Sequence, residues 1–177
     1  MTIFFDSGKY NDANSNNYYG FSKTNLSLVG LTAGTVTITR SPNVDERGNK
    51  TMERTGFQDS NIYLENLIFD GQSINMAAKP LGKESRGEFF FFFAKGSTNF
   101  VMKNCVIQNV GASNSGFTNK NVAMNFYQSS GQHNFENVTF KNIKTQFNYG
   151  IISFNDSKDN YFKNITLVDD GAYGNRT

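Results

Sequence analysis

The sequence predicts an all-β solenoid, one domain spanning residues 1–177 in which about five coils of parallel strands stack on one another. Three observations predict it. A short motif, apolar-x-apolar-x-Asn-apolar-x-apolar, recurs along the chain; its apolar residues are spaced as no straight strand allows; and the composition, with 37% hydrophobic residues, 16 Gly and 2 Pro in 177 residues, is that of strands and tight turns. A chain of this length forms one domain large enough to bury a core.

The motif reads IYLENLIF (62–69), FVMKNCVI (100–107), HNFENVTF (133–140) and NYFKNITL (160–167), and an earlier copy, LSLVGLTA (26–33), carries Gly30 in place of Asn. The pivots Gly30, Asn66, Asn104, Asn137 and Asn164 are separated by 36, 38, 33 and 27 residues (66−30, 104−66, 137−104, 164−137). A fixed core with variable spacing is expected of strands held in register while the loops between them differ in length. Parity explains the pivot. Leu64 and Leu67, Met102 and Cys105, Phe135 and Val138, and Phe162 and Ile165 are each three apart, and a straight strand sends such residues to opposite faces. A bend at the pivot keeps both inside, and Asn and Gly enter the left-handed region at least cost. Stacked copies would set the Asn amides one above another as a hydrogen-bonded ladder.

The outward positions fit the same stack. The residues before the pivots are Glu65, Lys103, Glu136 and Lys163, alternating in charge, and those two after are Ile68, Val106, Thr139 and Thr166, all β-branched. Both patterns suit parallel, in-register strands.

This strand, Asn turn, strand pattern resembles the right-handed parallel β-helix of the pectate-lyase-like superfamily, over nearly the whole chain from TIFFDSGKY to KNITLVDDG. The resemblance implies a right-handed coil of three strands. The strand preceding the motif would be MERTGFQD (52–59), EFFFFFAK (88–95), VAMNFYQ (122–128) and GIISFND (150–156). It also implies that polysaccharide lies on this first-strand face, where the loops 41–50, 72–87 and 111–121 would form a wall. The superfamily spans lyases, hydrolases, esterases, tailspikes and adhesins, so the fold alone does not name an activity.

Five consecutive Phe, 89–93, occupy that first strand. With Lys95 outward, alternation sends Phe93, Phe91 and Phe89 out and Ala94, Phe92 and Phe90 in. In the next coils Met124, Phe126, Ile152 and Phe154 would be inside, with Asn125, Tyr127, Ile151, Ser153 and Asn155 outside. Aromatic rings beside amides and hydroxyls suit sugar rings, so Phe89, Phe91, Phe93, Lys95, Asn125, Tyr127 and Asn155 form the expected ligand-binding set. The competing expectation is that loop 72–87, with Ile74, Met76 and Leu81, folds over the Phe and hides them.

Catalytic chemistry is thinly represented. The first-strand carboxylates, Glu53, Asp59, Glu88 and Asp156, lack the paired spacing that glycoside hydrolysis needs. A lyase acting on acidic glycans with Ca²⁺ could draw on Lys95, Arg54, Glu53 and Glu88, with Arg86 nearby, although the Arg-x-Pro-x-x-Arg type motif and Asp-rich ligand strands of the pectate lyases are missing. His133, the only His, is assigned a capping or surface role, and Cys105, the only Cys, a place in the core. One His and one Cys exclude a His/Cys metal site, so no cofactor is expected apart from Ca²⁺ in the lyase case. The sequons at Asn25, Asn49, Asn137, Asn155, Asn164 and Asn175 include two that follow from an Asn turn running into a Thr-bearing strand.

A formal charge of +2, from 17 basic and 15 acidic residues, supplies no field for nucleic acid, and no apolar run is long enough to insert in a membrane. No signal peptide opens the chain, and neither end supplies a capping helix. The expectation is a fragment of a longer secreted or cell-surface precursor, its ends covered by flanking domains or by end-to-end self-association. The leading functional expectation is a non-catalytic, adhesin-like module for polysaccharide or cell-surface glycan. A Ca²⁺-dependent polysaccharide lyase and a structural stalk or tailspike segment are the alternatives.

Overall fold

The computed structural model describes residues 1–12, 19–22, 25–40, 43–44, 50–51, 55–58, 61–71, 92–96, 99–110, 124–127, 131–143, 151–154 and 159–169. Among them every regular element is a strand, and the two large sheets are parallel throughout. The protein is a parallel all-β solenoid.

The larger sheet has ten strands. Its order is β1 (Thr2–Phe5), β4 (Asn25–Gly30), β9 (Asn61–Glu65), β12 (Asn99–Lys103), β15 (Gln132–Ile143), β13 (Val106–Val110), β10 (Leu67–Asp70), β5 (Val36–Arg40) and β2 (Gly8–Asp12), with β17 (Tyr161–Val168) paired to β15. Strand β15 runs through its own Asn turn and joins two flanks: residues 132–136 pair with β12, and 139–143 with β13. The second sheet has five strands in the order β16 (Ile152–Phe154), β14 (Met124–Tyr127), β11 (Phe92–Lys95), β8 (Thr55–Gln58) and β3 (Tyr19–Ser22). Four of these are the expected first strands; β3 was not foreseen. At the two ends of loop 41–50, β6 (Asn43–Val44) and β7 (Lys50–Thr51), which runs one residue past it, pair antiparallel.

The Asn row is built as the parity requires. Asn66, Asn104, Asn137 and Asn164 have φ of 58°, 51°, 53° and 53°, all left-handed. Each amide donates to the coil before it: Asn164 Nδ2 to Asn137 Oδ1 at 2.9 Å, Asn137 Nδ2 to Asn104 Oδ1 at 2.9 Å, Asn104 Nδ2 to Asn66 Oδ1 at 3.2 Å, and Asn66 Nδ2 to the Gly30 carbonyl at 3.0 Å. Main-chain bonds continue through the bend, from Asn66 N to Lys103 O and from Asn104 N to Glu136 O. The residues on either side fall inward: Leu64, Leu67, Met102, Cys105, Phe135 and Val138 are all buried.

Gly30 departs from this pattern. It is not left-handed, and it is needed for space: a Cβ there would sit 2.4 Å from the Asn66 carbonyl oxygen and 3.1 Å from Val36 Cγ2. The turn is made instead by residues 31–35, and Val36 takes the register of Leu67. Leu31, which stands in the motif where Leu67 does, is therefore 59% exposed.

A second, shorter row, two amides ending on a carboxylate, lies further along three successive coils. Asn109 and Asn142 are also left-handed, with φ of 57° and 53°. Asn142 Nδ2 donates to Asn109 Oδ1 at 3.3 Å, and Asn109 Nδ2 to Asp70 Oδ1 at 2.9 Å. The same parity rule operates here, because Ile107 with Val110 and Phe140 with Ile143 are three apart and all buried.

Aromatic rings fill the space between the sheets. Phe126 of β14 meets Phe100 at 5.1 Å edge to face and Phe154 at 5.1 Å stacked, while Phe135 stacks on Phe162 at 5.0 Å. Such pairs add to the area term at about 0.5–1.5 kcal/mol each.

Candidate functional site

The parallel register of the five-stranded sheet sorts its residues into columns. Tyr19, Thr55, Phe92, Met124 and Ile152 form one, and Phe21, Phe57, Ala94, Phe126 and Phe154 another. Met124 and Phe126 are fully buried, and Ile152 and Phe154 pack against the core. Alternating with them are Gly20, Gly56, Phe93, Asn125 and Ser153, and then Ser22, Gln58, Lys95 and Tyr127. Of the expected ligand set, Phe93 is thus paired with Asn125 and Lys95 with Tyr127, on neighbouring strands. Phe89, Phe91 and Asn155 lie outside the described residues, as do Arg54, Glu53 and Glu88 and loops 72–87 and 111–121. Ile151, expected outside, packs against the core; it precedes β16, where strand alternation does not apply, and its carbonyl accepts from Met124 N.

His133 also differs from expectation. It is 0% exposed and stacks on Phe126 at 4.5 Å. Its register explains why: Leu26, Ile62, Phe100 and His133 occupy one inward column, each four residues before a pivot. That column was visible in the motif HNFENVTF, whose first apolar slot His133 fills. Cys105 is in the core as expected. Burial pushes its thiol up to about 12, against the lowering effect of main-chain hydrogen bonds, so it stays protonated at neutral pH and is a poor nucleophile or ligand.

On the flank before the Asn row lies a charged stripe. Glu136 sits between Lys163 at 2.7 Å and Lys103 at 3.8 Å. The Lys163 hydrogen bond and charge hold the Glu136 carboxyl below its usual range and raise the Lys163 ammonium above its own. Glu65 accepts the Tyr63 hydroxyl at 2.8 Å, and burial, then that bond, pushes the Tyr63 phenol up to about 12. The pairs of Glu136 with the two lysines join neighbouring strands at the surface and fix register more than they stabilise. Among the described residues no cluster of three or more His, Cys, Asp or Glu could hold a metal ion. The amides of two sequon residues, Asn137 and Asn164, are engaged in the ladder.

Fold and register together define a parallel β-solenoid with an amide-lined turn and a five-stranded sheet in which Phe93 is paired with Asn125 and Lys95 with Tyr127. No family model matches the chain, and no curated protein or solved structure matches it.

Proposed function

We propose that this protein is a non-catalytic, carbohydrate-binding β-helix module of the pectate-lyase-like kind, acting at the cell surface or outside the cell on polysaccharide laid across the five-stranded sheet. The observation that carries this reading is the pairing of Phe93 with Asn125 and of Lys95 with Tyr127, in columns that alternate with buried Met124 and Phe126. An aromatic residue beside amide and hydroxyl donors at the strand spacing of about 4.8 Å suits a saccharide, which offers an apolar ring face and a rim of hydroxyls. Gly20 and Gly56 continue the Phe93 column and leave main chain without side chains next to it, room for a flat ligand. Lys95 adds a cation and favours uronate-bearing chains over neutral ones.

A polysaccharide array, neutral and uronate-rich, with and without Ca²⁺, tests the reading when scored for retention and for ultraviolet absorbance of unsaturated ends. Retention that falls at least about tenfold in Phe93→Ala and Tyr127→Ala, with flat absorbance, is the expected result. Growing absorbance, abolished by chelation and by Lys95→Ala, would replace the binding module with a lyase. Silence in both channels would leave a structural stalk.

A further inference from the structure

Residues 70 and 71 are Asp-Gly, a pair whose main chain rearranges readily, because glycine has no Cβ to hinder the approach of its nitrogen to the aspartate side chain. Gly71 N attacks Asp70 Cγ and closes a five-membered succinimide: the C–N bond forms, a Cγ–O bond breaks, and the amide proton leaves with the hydroxyl as water. Water then opens the ring. Attack at Cγ restores aspartate, while attack at the Asp70 main-chain carbonyl leaves isoaspartate, in which the chain runs through Cβ and Cγ and is one atom longer. One water leaves and one is added, so the mass is unchanged and no other reactant is needed.

The solenoid holds both reacting groups. Gly71 is buried, and its N–H, which ring closure must give up, donates to the Gln108 carbonyl at 2.9 Å. The Asp70 carboxylate accepts from Gln108 Nε2 at 3.0 Å on one oxygen and from Asn109 Nδ2 at 2.9 Å on the other. Two donors of the next coil therefore keep Cγ turned away from its own main chain. Asp70 ends β10, which pairs with β5 on one side and β13 on the other, so its backbone is fixed on both edges. Asn109 is aimed by its left-handed turn, and Asn142 donates to it in turn at 3.3 Å; the same carboxylate anchors the second amide row.

We infer that Asp70 and Gly71 form a guarded isomerisation site, dormant while the coils are stacked and converted to isoaspartate when β10 separates from β13. The conversion is a one-way latch. The added chain atom shifts Gly71 out of register with Gln108 and takes the carboxylate away from the Asn109 amide, so a coil that has reacted does not close as before. This inference concerns the third strands of the coils and does not depend on the glycan reading.

The full-length protein, incubated at neutral pH in buffer and in urea above its unfolding transition, is peptide-mapped for isoaspartate at residue 70. The map separates this site from the second Asp-Gly of the sequence, at 170–171, which lies outside the described residues. Conversion at residue 70 should be at least about tenfold slower in buffer, since reaction from an open form follows the population of that form. Urea below the transition should raise the conversion rate and the hydrogen exchange of the Gly71 amide by the same factor, because one opening frees both. Asn109→Gly, which keeps the left-handed turn and removes one donor to the carboxylate, should raise conversion in buffer about two- to tenfold. Reacted protein, isolated and freed of urea, should keep fast exchange at Gly71. Equal conversion in buffer and in urea overturns the inference, as does Gly71 exchange that rises without conversion. Reacted protein that regains the parent's protection at Gly71 overturns it too, and so does a folded Asn109→Gly protein that converts no faster. The comparisons in urea use the parent protein alone and stand even where the variant misfolds.

Discussion

Replacing Asn104 separates the two things the Asn row does. Its side chain donates to Asn66 Oδ1 at 3.2 Å and accepts from Asn137 Nδ2 at 2.9 Å, and its main chain sits at φ 51°. Asn104→Gly keeps the left-handed turn but loses both bonds. These are exposed to water, so each is placed at the low end, about 0.5 kcal/mol, and the freedom Gly adds to the unfolded chain costs about another 0.5, for a total of about 1.5 kcal/mol. Asn104→Ala loses the same bonds, escapes the Gly penalty, and adds about 1–2 kcal/mol for an L residue with a Cβ held left-handed, for a total of about 2–3. Urea unfolding of the three proteins, fitted with a common m-value, should rank them Asn, Gly, Ala, with about 1 kcal/mol between the variants. An Ala protein at least as stable as the Gly protein would refute the reasoning, because the turn would then not require the left-handed region.

Other positions give separate tests. Gly30→Ala should destabilise by about 1–3 kcal/mol through overpacking against the Asn66 carbonyl, opposite in sign to the gain of about 0.4–1 expected of Gly→Ala where conformation alone matters; thermal unfolding reads the sign. Cys105, buried and with its thiol pushed up to about 12, should react with a disulfide reagent at pH 8 only as fast as the protein opens, so that adding urea below the transition speeds labelling. The Glu136 carboxyl, depressed by Lys163, contributes stability present above its unfolded pKa and lost as pH falls through the lower folded value. The raised Lys163 ammonium contributes stability present below its unfolded pKa and lost as pH rises through the folded one. Lys163→Met should flatten both limbs of a melting temperature against pH profile, and salt should flatten them in the parent protein.

The solenoid was legible because inward residues three apart admit no straight strand, and Asn104, Asn137 and Asn164 answer that constraint directly. The second amide row was equally legible in the spacing of Ile107 to Val110 and Phe140 to Ile143, a signal that lay just beyond the repeated octet. Gly30 misled because Gly satisfies two different demands, left-handed φ and close approach, and only the second applies where residues 31–35 make the turn. His133 misled because its type suggests a surface, whereas its register column, Leu26, Ile62 and Phe100, places it in the core; position outweighed chemistry. For the candidate site, alternation in MNFY placed Met124 and Phe126 inside, where both are buried, since strand parity needs no tertiary information. Ile151 fell outside that rule because strand pairing begins one residue later.

The most direct measurement is the interstrand nuclear Overhauser pattern of the five-stranded sheet, since both the fold and the proposed glycan face depend on its register. Parallel pairing as described predicts close main-chain contacts of Phe93 with Gly56 and Asn125, and of Lys95 with Gln58 and Tyr127. Contacts displaced by one residue would contradict the account, because such a slip exchanges the two faces and moves Phe93 and Lys95 into the columns of Met124 and Phe126.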